Sequence, residues 1–481
     1  MSKSVGSNLI YNILRNVTNI IFPIVTAPYI ARVLGPDCLG LVNFANSYVG
    51  YYVLFAALGI PNYGIREVAN RRNDKDALSR IFSELFSINI LAAIIASTIF
   101  LLTILLIDQL RVEYIIFLIS GITLFTSPFS IDWFFSGLEE FKYITLRSII
   151  VKTISVICLF AFVHNTEDLY IYVLLGALSG CLNQFWNLLA LRRKGIVVKL
   201  TINGYRKHLK PLILLFSSTI AVSLYTTINT VMLGFMSTYD EVSFYNQANQ
   251  LSRILLAVVT SMSEVMVPRL SFLCKNKDWN TINDLVKKSF SVVSLLAFPL
   301  AIGLIMCAPI FIPLFLGEGF YGSVVPLQII SLIIIIIGLN NITTVQILIG
   351  CGLDSNLLKT VLWGTFSNLF LNCILIPYWG AIGAAVSSVV AELLILIVSA
   401  IYVIHNTKIR YNDFGDLIKS LLGALLFIPI YYIFSGFIQG WLCLILYILV
   451  CALSYCIAQV LLKNTSFYIA KAYITQKYRF K

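Results

Sequence analysis

The sequence predicts an all-α integral membrane protein with about 14 transmembrane helices, in two pseudo-symmetric six-helix lobes plus two C-terminal helices. The first observation is composition, since 59% of the 481 residues are hydrophobic and 12% are charged, whereas soluble domains carry about 25% charged residues. The second is that apolar runs of bilayer-spanning length recur along the whole chain. The third is a short segment that occurs in both halves. Fourteen spans of about 21 residues leave only short connections, which excludes a sizeable soluble domain.

Charge clusters, glycine and proline bound the apolar runs and so place the helices. The predicted spans are 8–34, 39–59, 81–107, 113–136, 143–163, 169–191, 211–236, 242–265, 289–316, 323–350, 357–376, 380–404, 415–436 and 440–462. We therefore predict an N-lobe (1–195, helices 1–6), a C-lobe (196–410, helices 7–12), and a last pair of helices with a cytoplasmic tail (411–481).

Basic residues indicate the orientation, because cytoplasmic connections of membrane proteins hold an excess of Lys and Arg. With the N-terminus in the cytoplasm, the inside segments hold 29 of the 34 Lys and Arg residues. Both termini are then cytoplasmic, since the number of spans is even. The formal net charge of +12 follows from this topology and from anionic lipid headgroups rather than from nucleic-acid binding.

A segment after the first predicted helix recurs after the seventh. Four residues keep the same spacing in both copies, which are Asp37, Asn43, Ala45 and Asn46 in the first and Asp240, Asn246, Ala248 and Asn249 in the second. An offset of six spans preserves orientation, so the repeat would be parallel, about an axis along the membrane normal. Two such lobes can enclose a central cavity and rock about it, which is the physical basis of alternating access.

The ten cysteines and three histidines predict neither a disulfide framework nor a metal site. Eight cysteines lie in or at the ends of apolar runs, where a thiol acts as a small hydrophobe. The other two, Cys38 and Cys274, fall in connections on opposite sides of the predicted membrane. His164, His208 and His405 lack metal-ligand spacing, and no Cys-x-x-Cys motif occurs. We therefore expect no metal and no cofactor.

An arginine and three asparagines form a polar stripe in the first predicted helix. A charge at the bilayer centre costs about 2.5–3.5 kcal/mol, so such residues tend to face protein or a wet cavity. Arg15 lies about two turns into the span, and Asn12, Asn16 and Asn19 share one helical face by their i, i+4 and i+7 spacing. We predict that this stripe contributes to substrate binding.

Arg253 provides a similar surface in the second half of the chain. It lies in the middle of predicted helix 8, after Asn246 and Asn249. Neither Arg15 nor Arg253 has an acidic partner in its own helix. The two arginines predict a central cationic cavity that holds an anion. The alternative is a structural salt bridge between helices, for instance between Arg253 and Glu392.

The remaining ionisable residues in or beside the spans have a different interpretation. Asp132, Lys152 and Glu264 lie nearer the predicted cytoplasmic ends of their spans, where snorkelling or local ion pairs suffice. Arg32 lies near an outside connection. We treat Arg32, Asp132, Lys152, Glu264 and Glu392 as candidates for gating or ion pairing.

Several motifs resemble those of bacterial oligosaccharide flippases of the Wzx type. Residues 27–36, followed by Leu39 and Gly40, are similar to their first-helix signature, and residues 131–145 are similar to their fourth-loop motif. Residues 265–271 and 380–385 resemble their eighth- and twelfth-helix signatures. Such flippases belong to the multidrug/oligosaccharidyl-lipid/polysaccharide exporter superfamily.

The resemblance implies a transporter and not an enzyme. It would move an undecaprenyl-diphosphate-linked oligosaccharide from the inner to the outer leaflet of the bacterial cytoplasmic membrane by alternating access. Arg15 and Arg253 match arginines of helices 1 and 8 in the cavity of similar lipid flippases, whereas helix 2 lacks arginine here. The resemblance also implies a lipid-tail groove at the last two helices and a monomer. Its partners would be the lipid-linked oligosaccharide, membrane lipids and other polysaccharide-assembly proteins.

Two other functions stay open. A cation-coupled multidrug exporter of the same superfamily would share the two-lobe fold, although two deep arginines are unfavourable for a cationic cargo. A membrane glycan polymerase or ligase is the enzyme alternative, but such enzymes need catalytic groups on an external loop, and the predicted outside connections are short. The sequence lacks the GxxxxGK[ST] motif of ATP-hydrolysing P-loop proteins.

Overall fold

The structure, a computed structural model, describes residues 5–201, 204–410, 415–434 and 440–468, and its regular elements in these ranges are helical. In chain order the α-helices are α1 (Val5–Ala57), α2 (Ile60–Arg71), α3 (Lys75–Leu106), α4 (Asp108–Val112), α5 (Tyr114–Phe125), α6 (Asp132–Gly137), α7 (Phe141–Phe162), α8 (Leu169–Arg193), α9 (Tyr205–Met236), α10 (Tyr239–Asn276), α11 (Trp279–Leu316), α12 (Val324–Asn341), α13 (Asp354–Asn406), α14 (Gly415–Leu425), α15 (Phe427–Phe434) and α16 (Gly440–Leu461). A π-helix, Ile342–Ile349, continues α12.

Two of the helices are long enough to cross a membrane twice. Helices α1 and α13 each contain 53 residues, or about 80 Å at 1.5 Å per residue, against a hydrocarbon core of about 30 Å. Each is interrupted by a glycine with positive φ, Gly35 (φ 74°) in α1 and Gly380 (φ 50°) in α13. Residues with a Cβ rarely adopt this conformation. Each helix therefore corresponds to two of the predicted spans.

The described helices confirm the predicted fold class. Ten of them are long and apolar enough to span a membrane, and α10 is an eleventh if its two parts, which meet at 45°, count as one span. Counting the two halves of α1 and α13 separately and adding α9 gives the predicted total of about 14. The protein is a multi-pass, all-α membrane protein.

Contacts divide the chain into two compact units, Met1–Phe235 and Met236–Lys481. Helix α9, which the sequence placed in the C-lobe, packs within the first unit. A Cβ added at Gly59, where φ is 74°, would lie 2.9 Å from the backbone oxygen of Leu212 in α9. The division into 1–195, 196–410 and 411–481 stays a prediction about the repeat.

Aromatic packing in the first unit positions α6. Phe82 of α3 stacks on Trp133 of α6 with ring centroids 5.6 Å apart, and Phe134 meets Phe82 edge to face. Gly64 of α2 admits the Trp133 ring, because a Cβ at that glycine would lie 2.3 Å from it. These contacts bury the aromatic residues of α6 and hold Asp132, the first residue of that helix, in a defined position.

One cysteine prediction was wrong. We interpreted Cys351 as a small hydrophobe in an apolar run and Cys274 as a loop residue, yet the structure joins them in a disulfide with the Cα atoms 5.3 Å apart. The π-helix ends at Ile349, so Cys351 lies in the following turn rather than inside a span. Because the two cysteines are 77 residues apart, local sequence did not reveal that the end of α10 reaches this turn.

The C-terminal helices pack on α11 within the second unit. Tyr455 of α16 donates to the carbonyl oxygen of Leu295 in α11 at 2.9 Å. At the start of α14, Asp416 accepts hydrogen bonds from Lys419 and from the Thr465 hydroxyl. The predicted last pair of spans thus forms a helical hairpin, with α14 and α15 together as its first arm.

Candidate functional site

Arg15 lies on α1 with its guanidinium partly accessible. Its side chain is 35% exposed, and its Nη2 lies 3.7 Å from Oδ2 of Asp132. This separation is longer than the 2.7–2.9 Å of a charge-assisted hydrogen bond. Arg15 is therefore near a carboxylate without being tightly bound to it.

Asp132 is held from the other side by a buried arginine. Arg147 of α7 is 4% exposed, and its Nη2 donates to both carboxylate oxygens of Asp132, at 2.8 and 3.1 Å. Its other donors bond Asn183 (3.1 Å) and Asn187 of α8. Asn187 also donates to Asp132 at 2.8 Å. The carboxylate is committed to this network, because a buried guanidinium requires such partners.

Sequence reasoning missed Arg147. It was counted with the basic residues of a cytoplasmic connection, although the predicted span 143–163 already contained it. The structure places it inside α7 (Phe141–Phe162). Asn183 and Asn187, four residues apart in an apolar predicted helix, were the signal that a polar partner had to lie nearby.

Lys152 adds a further cation to this region. Its Nζ contacts Oδ1 of Asn19 on α1 and lies 5.9 Å from the centre of the Phe22 ring. It is close enough to Arg15 for the two positive charges to interact. The amide and the aromatic face stabilise the ammonium without neutralising it.

The asparagine stripe of α1 lies on an accessible surface. Asn12, Asn16 and Asn19 are all exposed, and Asn19 contacts Lys152 as described above. Side-chain amides offer both donors and acceptors, which suits polyhydroxylated ligands as well as phosphate oxygens. We name the group formed by Arg15, Lys152 and these asparagines the α1 cationic surface.

Arg253 in the second unit is exposed on α10, and its Nε donates to Oδ1 of Asn249 at 3.1 Å. Asn246 donates to its own helix, at the carbonyl oxygen of Val242 (2.8 Å). Glu392 is buried in α13 and accepts from Asn340 of α12 at 3.4 Å. Among the described residues Arg253 and Glu392 contact different partners, so the structure does not show the salt bridge weighed above.

Two other candidates for gating or pairing are less informative. Arg32 is exposed on α1, three residues before Gly35. The side chain of Glu264 lies outside the described part of the structure. Within the described residues, no group of three or more His, Cys, Asp and Glu side chains is placed to hold a metal ion.

Sequence reasoning also missed a buried ionic cluster at the start of α9. Glu84 of α3 lies 2.8 Å from Nζ of Lys207 and 2.9 Å from Nε2 of His208. Tyr63 of α2 contacts Nδ1 of His208 at 2.8 Å. Glu84 fell inside the predicted span 81–107 without being noticed. The cluster ties α9 to α2 and α3 within the first unit.

Residues 5–273, more than half of the chain, match the protein family described as "Polysaccharide biosynthesis protein". The chain belongs to this family. The match confirms the resemblance drawn from the sequence motifs. The matched residues run from the start of α1 through almost the whole of the first unit and most of α10.

This polysaccharide biosynthesis protein has relatives that are named as O-antigen transporters. It is 27% identical over 411 residues to one from Escherichia coli (strain K12), covering 84% of this chain and 97% of the relative. It is 24% identical over 401 residues to one from Shigella dysenteriae, covering 81% of this chain and 98% of that protein.

Solved structures share its fold. The lipid II flippase MurJ in an inward closed conformation superposes with a TM-score of 0.78 at 14% identity, covering 95% of this chain and 99% of that one. An inward-facing multidrug resistance MATE family transporter of the MOP superfamily superposes with a TM-score of 0.60 at 13% identity, covering 81% and 95%. At these identities the likeness concerns the fold alone.

Proposed function

We propose that this protein flips undecaprenyl-diphosphate-linked oligosaccharide repeat units from the inner to the outer leaflet of the bacterial cytoplasmic membrane, by alternating access through a cationic cavity. Both termini lie in the cytoplasm in this proposal, as the distribution of basic residues predicts. The family match and the transporter names of the relatives support it. They favour a transporter over an enzyme.

The observation that carries the proposal is a surplus of positive charge within membrane-spanning helices of the first unit. Arg15 and Arg147 approach the carboxylate of Asp132, and Lys152 lies near Arg15. Three cations and one carboxylate leave a formal excess of two positive charges. A lipid diphosphate carries roughly two negative charges. Unpaired charge inside a membrane is costly, so a surplus of this size requires an anion or water as its partner.

The distances distinguish Arg15, which can bind an anion, from Arg147, which holds the Asp132 carboxylate. Asp132 stays bonded to Arg147 at 2.8 Å while Arg15 stands 3.7 Å away. Arg15 can therefore turn towards a phosphate without leaving Asp132 unpaired. A guanidinium binds phosphate oxygens with two parallel N–H groups, and the exposed asparagines of α1 can hydrogen-bond the first sugar.

The direction of transport agrees with the membrane potential. With the cell interior negative, moving one negative charge outwards is favourable by about 2.3 kcal/mol per 100 mV. A substrate with two negative charges gains about twice this amount if no other ion moves. The α1 cationic surface needs only to shelter the diphosphate from hydrocarbon during the crossing.

The test is transport by the purified full chain in liposomes. Fluorescently labelled lipid-linked oligosaccharide from the producing bacterium is incorporated in both leaflets, and a membrane-impermeant glycosidase reports how much becomes accessible. We expect the wild-type protein to make the protected half accessible and empty liposomes to leave it protected. Equal protection in both preparations would reject the proposal.

A cation-coupled multidrug exporter is the second candidate, because a MATE transporter shares the fold. A cationic drug would meet the partly exposed Arg15 and Lys152 and the exposed Arg253, whose positive charges are unfavourable for it. Accumulation of an organic cation such as ethidium in cells with and without the protein separates the two. We expect no difference in accumulation, whereas drug export with no glycan flipping would favour the exporter.

A further inference from the structure

A cavity in the second unit, at the break in α13, is not used by the function proposed above. It has a volume of about 640 Å³, and its lining includes Ser237, Thr238, Glu241, Tyr378, Trp379 and Gly380. Small-molecule sites occupy about 300–1,000 Å³ and combine apolar or aromatic walls with a few placed polar groups. This lining has both, since two aromatic rings stand beside two hydroxyls and a carboxylate.

The two aromatic rings protrude from a defined turn. Tyr378 is 83% exposed and Trp379 is 55% exposed. Pro377 precedes them and Gly380, with φ 50° and ψ −125°, follows them. Proline fixes its own φ, and the glycine adopts a conformation closed to most residues. The backbone that carries the rings is therefore fixed, so a ligand would have to order only the two side chains and not the turn itself.

Glu241 is fixed in the same cavity. Its Oε2 accepts a hydrogen bond of 2.6 Å from the backbone N–H of Ala381, just after the glycine break. A carboxylate has about four acceptor positions, so this bond leaves capacity for ligand hydroxyls. Thr238 precedes α10 and is exposed, and its side chain makes no capping hydrogen bond to that helix.

We propose that this cavity binds a sugar ring of the transported glycan. The apolar C–H face of a saccharide stacks on Tyr378 and Trp379, while its hydroxyls bond Glu241 and Thr238. Tyr and Trp also form belts at membrane surfaces, but a belt requires no carboxylate and hydroxyl beside the rings. The inference rests on the proposed function and adds a site for the neutral part of the substrate, on the side opposite the basic connections.

The experiment measures binding of the phosphate-free oligosaccharide, released from the lipid-linked precursor, to the detergent-purified full chain by calorimetry. Trp379→Ala and Tyr378→Ala are each expected to raise Kd about tenfold by removing one stacking face. Glu241→Gln keeps an acceptor for Ala381 and is expected to raise Kd about threefold. The matched control is Trp363→Ala, since Trp363 lies 59% exposed on the same helix outside the cavity.

The outcomes separate this site from the proposed function. Arg15→Ala should leave the Kd of the phosphate-free glycan unchanged while slowing transport of the lipid-linked substrate. Equal Kd values for Trp379→Ala and Trp363→Ala would overturn the sugar site even if flipping is observed. So would the absence of glycan binding to the wild-type chain. Conversely, glycan binding that depends on Trp379 in a protein that does not flip would reject the transport proposal alone.

Discussion

The two arginines that we predicted to bind an anion lie in different chemical surroundings. In the first unit, Arg15 faces the carboxylate of Asp132 at 3.7 Å. In the second unit, Arg253 donates to the amide of Asn249 at 3.1 Å. An amide oxygen orients a guanidinium without cancelling its charge. A carboxylate orients the guanidinium and also offsets its positive charge. The two arginines therefore have partners of different charge, and we expect Arg253, whose partner is neutral, to bind an anion more strongly than Arg15.

The difference extends to what supports each arginine. Asp132 is bound by Arg147 and Asn187, so the surroundings of Arg15 depend on contacts between α6, α7 and α8. Asn249 lies one turn before Arg253 on the same helix. The first arrangement requires correct tertiary packing, and the second requires only that α10 stay helical. Substitutions in the two units should therefore act on different properties.

The largest expected effect is loss of stability in Arg147→Ala. The substitution leaves the Asp132 carboxylate and two asparagine side chains without their buried partner, which costs about 3–5 kcal/mol. We expect a clear fall in the thermal unfolding temperature of the detergent-purified protein, measured by size-exclusion chromatography after heating. Arg15→Ala is the control, with little change because Arg15 is partly exposed. Similar unfolding temperatures for the two variants would contradict the buried role of Arg147.

The next effect is loss of transport in Arg253→Ala and Arg15→Ala. Each removes a charged hydrogen bond to phosphate worth about 1.5–3 kcal/mol, so flipping should fall about tenfold or more at near-normal protein abundance. The negative charge of Asp132 offsets part of the positive charge of Arg15, whereas Arg253 has a neutral amide as its partner. The loss of transport should therefore be larger for Arg253→Ala. The measurement is surface glycan in cells that carry each variant, with membrane protein quantified in parallel. Wild-type glycan levels in both variants would remove the site assignment.

The polar stripes could be predicted because their signal is local. Asn12, Asn16 and Asn19 interrupt an apolar run at helical spacing, and Asn249 precedes Arg253 by one turn. A period of 3.6 residues is sufficient to place such residues on one face. The helix count could be predicted for a similar reason, since bilayer thickness fixes the length of each span.

The partners of these residues could not be predicted, because they come from distant parts of the chain. Arg147 meets Asn187 from another helix, Glu84 meets His208 across more than a hundred residues, and Cys274 meets a cysteine 77 residues away. Each contact depends on which helices pack together and at what depth. The hydropathy of one segment does not determine either property, so these contacts become visible only in the folded units.

A smaller effect is expected when Arg253 is given the surroundings of Arg15. Asn249→Asp places a carboxylate where Nε of Arg253 now meets an amide oxygen at 3.1 Å. We expect binding of farnesyl diphosphate, a soluble isoprenyl diphosphate, to weaken about fivefold, because the new charge competes with phosphate for the guanidinium. Asn249→Ala is the control that removes the bond without adding charge. Equal binding by the two variants would show that charge at this position is unimportant.

The smallest effect has the opposite sign and arises when Arg15 is given the surroundings of Arg253. Asp132→Asn keeps an acceptor for Arg147 but removes the negative charge that lies 3.7 Å from Arg15. Farnesyl diphosphate should then bind about threefold more tightly, since attraction at this distance is weakened by partial exposure and by the competing bond to Arg147.

Adding Arg15→Ala to Asp132→Asn tests whether the gain acts through Arg15. In the double variant the tighter binding should disappear, because the cation that Asp132 moderated is gone. Binding is compared below the unfolding temperature of each variant, since Arg147 loses a charged partner in both. Tighter binding that persists without Arg15 would mean that Asp132 acts on the anion directly, and the contrast between the two arginines would then not explain their strengths.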